Sequence, residues 1–155
     1  MANKIPNFDT GEKDNSNIIH LDLDPKINIE NKLYFKNLLK KIAECSLDDL
    51  EENLENLYHV DAEFNGFHPI NEIKGIEEIK NKYLIPLKKA FPDLERRNIL
   101  VIGGAFRDKV FVSFISHLTG TFTNEWLGVK PTNKTIYLRT CEAHQITNNK
   151  ILYIN

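Results

Sequence analysis

Glu142 and His144 stand two residues apart in the run YLRTCEAHQI, a carboxylate and an imidazole separated by one alanine. In extended backbone, residues i and i+2 share a face. The alternation therefore groups Leu138, Thr140, Glu142, His144 and Ile146 on one side and Arg139, Cys141, Ala143 and Gln145 on the other. Side by side, a carboxylate and an imidazole shift each other's proton affinity and make a workable acid/base pair, although such pairs are also common on protein surfaces. Glu142 and His144 are the catalytic candidates.

The run VFVSFISHLTGTF alternates Val110, Val112, Phe114, Ser116 and Leu118 against Phe111, Ser113, Ile115, His117 and Thr119. His117 is either a pocket-wall residue or a half-exposed histidine on an outer sheet face. His68, in GFHPIN, directly follows a predicted strand, where a loop could close over a site. His59 and Asp61 alternate within YHVDAEFN and face alike, with Tyr58 on the other side. Trp126, the sole tryptophan, lies in NEWLGVKP between two long strand-like runs. A large aromatic there either plugs a small cluster of its own or lids a site. No phosphate-cradling loop, nucleophile-elbow pattern, Cys-x-x-Cys or His-x-x-x-His pair occurs, so no cofactor or metal is expected.

The elements that must position these residues are readable in outline. NKLYFKNLLKKIAEC places Phe35, Leu38, Leu39, Ile42 and Cys45 on one helical face. Ser46 and Asp49 form a capping-box-like start to a second helix with the stripe Leu47, Leu50, Leu54 and Leu57. YHVDAEFNGFHP reads as a strand closed by Gly66 and Pro69. After Gly75, a further helix aligns Ile76, Ile79, Tyr83, Leu84, Leu87 and Phe91, and Tyr83 is counted with the ligand-binding candidates. Pro86 should bend this helix or open its final turn.

From Leu94 onward four runs are rich in β-branched and aromatic residues, with FRDK and TNNK as tight hairpin connections. The order predicts an α+β domain: three N-terminal helices packed on one face of a twisted, mainly antiparallel sheet, which glycines such as Gly103, Gly104 and Gly120 could curve around a pocket. Residues 1–29, polar apart from the island NIIHLDL, read as a flexible N-terminal arm, leaving 30–155 as the domain.

At 155 residues the chain suits one domain with a real core. A net charge of −2 provides no electrostatic drive toward nucleic acid or anionic lipid. Two distant cysteines and no signal-like or membrane-length apolar run make the cytoplasm the expected location.

Four motifs in order, FHP followed by KG, PLKKAFPDLERR, GTF...WLGVKPTNKT and R..E.H.I..NKI, resemble the SnoaL-like polyketide cyclase family of the nuclear-transport-factor-2-like superfamily, from about residue 32 to the end. The resemblance implies a cone-shaped fold enclosing a deep pocket, often dimeric through the outer face of its sheet. It also implies cofactor-free aldol ring closure of an enolisable polyketide, with a carboxylic side chain as acid/base. Its matching pocket positions are His68, His117, Trp126, Arg139, Glu142 and His144. The expected partners are a small apolar or aromatic ligand and a second copy of the chain.

One departure stands out. In the family, the strand beginning GKI commonly runs on to an aspartate, whereas NKILYIN ends before any acidic residue. The expectation is that Glu142 and His144 stand in for it, or that the sequence is a shortened product. A non-catalytic binding or dimerisation module of the same fold is the alternative. On the enzyme reading, Glu142→Gln should abolish turnover with little change in melting temperature.

Overall fold

The computed structural model describes residues 23–107 and 109–155, so most of the segment read as an arm lies outside the described residues. Helix α1 spans Pro25–Glu44, beginning several residues before the periodic stretch that announced it. The Asp24 side chain accepts from Lys26 N–H at 2.7 Å, and Pro25 occupies the first helical turn, where its missing donor is harmless. Residues 25–29, assigned to the arm by composition, are thus helical. Phe35, Leu39 and Ile42 form the buried stripe of α1.

Ser46 and Asp49 do form a local cap: Asp49 N–H donates to Ser46 Oγ at 3.1 Å, and that hydroxyl donates to Asp49 Oδ2 at 2.7 Å. Helix α2, Leu50–Leu57, starts only after this turn. Leu47 consequently lies before the helix and is exposed, whereas Leu50, Leu54 and Leu57 are buried as expected from their spacing.

The stretch Ile76–Ala90 is helical throughout but not uniformly α. Helix α3, Ile76–Ile79, passes through a π-helical turn, Lys80–Leu84, into α4, Ile85–Ala90. In an unbroken α-helix, Pro86 would remove a bond and its ring would crowd the preceding turn. The π turn, closed by Ile85 N–H to Lys80 C=O, resets the ladder so that Pro86 falls in the first turn of α4.

Six strands, β1 (Tyr58–Asn65), β2 (Glu72–Lys74), β3 (Glu95–Phe106), β4 (Lys109–Thr121), β5 (Thr135–Thr147) and β6 (Lys150–Ile154), form one mixed sheet. Its order is β2-β1-β6-β5-β4-β3. All neighbours are antiparallel except β1 and β6, which run parallel. The β5–β6 hairpin turns through Asn148 (φ 51°) and Asn149 (φ 60°), the left-handed pair that a two-residue I′ turn demands.

Two irregularities decide which side chains face inward. On β3, Asn98 pairs with Ser116 but Leu100 pairs with Ile115, so Ile99 is an extra residue. Arg96 and Asn98 point inward before this bulge, and Val101 and Gly103 take over the inner phase after it. On β6, Tyr153 pairs with Gln145 while Ile151 pairs with Ile146, which leaves Leu152 as the extra residue. Ile151 and Ile154 are therefore both buried, where strict alternation would have put them on opposite faces.

Helix α1 packs against β3 at Gly103, whose carbonyl accepts from Asn28 Nδ2 at 3.0 Å. A methyl group at Gly103 would overlap Asn28 Oδ1 and come within 2.9 Å of Lys32 Cγ, whereas one at Gly104 would meet nothing within 4 Å. Gly103→Ala should therefore lower stability by about 1–2 kcal/mol in urea unfolding, and Gly104→Ala should leave it nearly unchanged.

Candidate functional site

Between the helices and the inner face of the sheet lies a cavity of about 420 Å³. Its walls are mainly apolar, with Leu39 and Ile42 from α1, Phe64 from β1, Leu84 and Leu87 from the third helical stretch, and Leu118 from β4. The wall formed by β3, β4 and β5 is polar at its centre. There Arg96, only 7% exposed, turns its guanidinium onto Glu142 across the sheet.

The pairing is bidentate: Nη1 donates to Glu142 Oε1 at 3.0 Å and Nη2 to Oε2 at 3.1 Å. Arg96 Nη2 also donates to Ser116 Oγ at 2.9 Å, and Nε donates to Asn98 Oδ1 at 2.9 Å. Ser116 Oγ in turn donates to Asn98 Oδ1 at 2.8 Å. The Arg96 backbone N–H is taken by Glu44 at the end of α1, at 3.2 Å, and the guanidinium stacks 5.6 Å from the Phe114 ring centre. The β3 bulge makes this possible by keeping both Arg96 and Asn98 inward opposite β4.

His144, fully buried, lies 3.1 Å from Glu142 Oε2 through its Nε2. An ionised carboxylate only accepts, so Nε2 carries the proton and Nδ1 is left with a lone pair. Nδ1 has no hydrogen-bond partner among the described residues. Neither does Thr140 Oγ1, on the same strand face and also lining the cavity.

Burial pushes the Glu142 carboxyl up, but the hydrogen bond from His144, the charge of Arg96, the charge His144 carries when it is protonated and the Arg96 hydrogen bonds together outweigh it, and the group titrates at about 2. A carboxylate held that firmly is a poor proton acceptor near neutrality. It is well suited to fix the tautomer and orientation of an imidazole. The gain in basicity that burial alone would give Glu142 is thus reversed by its partners.

Glu142, His144 and Tyr83 line the cavity together. Arg139 borders it, but its Nε donates to His117 Nε2 at 3.1 Å, and the two are register partners on the outer face of β5 and β4. His68 is exposed in the turn after β1; its neighbour Phe67, not His68, lines the cavity. Trp126 packs edge-on against Phe67, with centroids 6.2 Å apart, and against Phe91, at 5.8 Å. It belongs to a second apolar cluster with Leu87, Phe91 and Phe122, beside the cavity. Sequence reading passed over Arg96, Asn98, Ser116, Thr140 and Tyr58 as site residues. The available signal was the Arg96-Arg97 pair, since strand alternation must turn one of the two inward.

Lys88 also lines the cavity, donating from Nζ to Ala43 C=O at 2.9 Å in the last turn of α1 and to Cys45 C=O at 2.6 Å just after it. Among the described residues no three His, Cys, Asp or Glu side chains cluster as metal ligands, and no helix is long and apolar enough to cross a membrane.

No family model and no curated protein matches the chain, but solved structures do. A candidate SnoaL-like polyketide cyclase from Jannaschia sp. is 20% identical with a TM-score of 0.66, over 86% of this chain and 88% of that one. AclR, a candidate hydroxylase from Streptomyces galilaeus, is 20% identical at 0.62, over 82% and 73%. A nuclear-transport-factor-2-like protein from Salmonella enterica is 14% identical at 0.65, over 84% and 89%. The chain has the fold of these SnoaL-like and nuclear-transport-factor-2-like proteins, as its motifs indicated.

A carboxyl whose folded-state pKa is depressed stabilises the fold wherever the unfolded carboxyl is ionised. Its contribution is complete above about pH 5 and is lost as the pH falls toward about 2. Glu142→Gln leaves Arg96 buried without its counter-charge, so the variant should lose roughly 3 kcal/mol at pH 7. Its stability should also change less than the parent's between pH 5 and 2, measured as urea midpoints across that range. The small change in melting temperature expected from sequence does not fit this environment.

Proposed function

We propose that the chain binds a small, largely apolar ligand in this cavity, shaped as the cone of its fold relatives, and moves a proton on that ligand without a cofactor. The observation that carries the reading is the buried Nδ1 of His144, without a partner among the described residues, beside a carboxylate that Arg96 keeps ionised. His144 Nδ1 accepts a proton from a carbon next to a carbonyl. Glu142 holds the imidazole by Nε2–H and stabilises the cation that results. Such proton abstraction opens aldol ring closure, the reaction type implied by the resemblance to polyketide cyclases. The fold likeness to candidate cyclases supports the class, although the same fold in a candidate hydroxylase shows that the scaffold leaves the reaction open.

The test uses 1-tetralone, a small bicyclic ketone with exchangeable protons beside its carbonyl. In D2O the parent should speed exchange of those protons, followed by NMR, and His144→Ala should slow the protein-dependent rate by about 10²-fold or more. Exchange at the parent rate in His144→Ala would exclude this histidine as acceptor. Tetralone that binds but never exchanges would favour the non-catalytic binding module.

A homodimer through the outer sheet face belongs to the same reading, as does a cytoplasmic setting with both cysteines free. Leu100, Ile102, Phe106 and Tyr137 are exposed, and the register of β3 and β5 against β4 puts them on that outer face. Sedimentation of the full chain should show a dimer that Ile102→Glu together with Tyr137→Glu converts to monomer. A monomeric parent would remove the dimer from the reading.

A further inference from the structure

Two tyrosines line the cavity without a hydroxyl partner among the described residues. Tyr58, at the start of β1 and 6% exposed, and Tyr83, in the π-helical turn, both line it. No side-chain hydrogen bond joins either hydroxyl to the described residues, and neither is among the sealed polar atoms without a partner, Asn28 Oδ1, Trp126 Nε1, Thr140 Oγ1 and His144 Nδ1. A phenol that the protein leaves without a partner can donate to whatever enters the cavity. The ring positions are nonetheless well fixed. Tyr83 stacks on Phe64, with centroids 4.8 Å apart and planes 22° from parallel, and Tyr58 pairs in register with Ile151 of β6. Two held hydroxyls left unpaired on an apolar wall describe a subsite for an atom the protein does not supply.

The charge environment selects that atom. Burial pushes both phenols up, and the charge on Glu142 pushes them further, with Arg96 offsetting part of the effect. Both stay protonated across the neutral range and act as donors. An incoming carboxylate would meet Glu142 with most of the Arg96 donors already committed to Glu142, Ser116 and Asn98. A neutral oxygen that only accepts meets no such opposition.

We propose that Tyr58 and Tyr83 together bind the carbonyl oxygen of a ketone or ester ligand and stabilise the negative charge that grows on it. The assignment rests on the proton-transfer reading above and deepens it. When the C–H bond beside the carbonyl breaks, its proton goes to His144 Nδ1. Its electron pair forms a carbon–carbon double bond, and the carbonyl electrons move onto oxygen. That oxygen then accepts from two phenols preorganised in a water-poor cavity, where such donors act most strongly. The ligand class is therefore an apolar compound with one carbonyl placed beside an acidic C–H.

The experiment compares 1-tetralone with tetralin, the same bicycle without oxygen, by calorimetric titration of the full chain. It adds the infrared stretch of a 13C-labelled tetralone carbonyl. The parent should prefer tetralone, and bound tetralone should show a lowered carbonyl frequency. Tyr58→Phe and Tyr83→Phe should each reduce the preference about fivefold and raise the frequency, leaving tetralin affinity and the unfolding midpoint unchanged, because neither hydroxyl bonds to a described residue. His144→Ala should keep the preference and the frequency while losing exchange, which separates failure of the subsite from failure of the proton acceptor. Unchanged preference and frequency in both tyrosine variants would overturn the subsite, whatever the exchange rate does.

Discussion

The bidentate pair between Arg96 and Glu142 is the constraint around which the inner face of the sheet is organised. Taking two opposite charges out of water is expensive, and their attraction offsets the loss only where geometry is good and the remaining donors and lone pairs are engaged. That condition recruits neighbours from several elements: Asn98 from β3, Ser116 from β4, His144 from β5, and Glu44 from α1 for the Arg96 backbone. The Ile99 bulge follows from the same need. Without it, Arg96 and Asn98 could not share the inner face with Val101 and Gly103, and α1 could not close on β3.

This pair also assigns the chemistry its direction. A carboxylate beside an imidazole can act as base, as acid or as a support, and which of these it does depends on what else touches it. Here Arg96 commits both Glu142 oxygens, and His144 Nε2 shares one of them. The carboxylate is spent on orientation, and the free lone pair of the cluster is transferred to His144 Nδ1. Thr140 Oγ1, on the same wall, is likewise sealed in without a partner among the described residues. A cavity that were only a packing defect would gain nothing from His144 Nδ1 and Thr140 Oγ1, since a sealed polar atom without a partner raises the free energy of the protein.

How much of this was legible beforehand follows from the range of the interactions involved. The Asn148-Asn149 turn and the shared face of Glu142 and His144 depend on neighbours two or three residues away, and the sequence shows them directly. Arg96 against Arg97 is a different matter. Both are arginines on one strand, and only the pairing of β3 with β4 decides which turns inward. His117, offered by its mixed strand, and Arg139, offered by the resemblance, meet each other on the far face, with Arg139 still bordering the cavity. Ile154 misled alternation because the extra residue Leu152 exists only relative to β5. Leu47 matched the helical stripe, but the Ser46–Asp49 cap put it outside the helix. Local chemistry was visible, and register was not.

Register also bears on the acid that the family resemblance would place on the strand beginning NKI. In this sheet β6 pairs with β5, and Ile154 lies directly opposite His144, both side chains buried on the inner side. Neighbouring positions on adjacent strands are only about 5 Å apart, so a proton acceptor on either strand can serve the same cavity. An apolar residue at Ile154 and a histidine at 144 are, in the proposed reading, two halves of one arrangement. The isoleucine keeps that part of the wall dry, and a dry wall makes an imidazole lone pair without a partner reactive toward a bound C–H. An aspartate in the place of Ile154 would instead put a second carboxylate directly opposite His144. The histidine is thus best suited as acceptor where its neighbour on β6 is apolar, which is the combination the chain has.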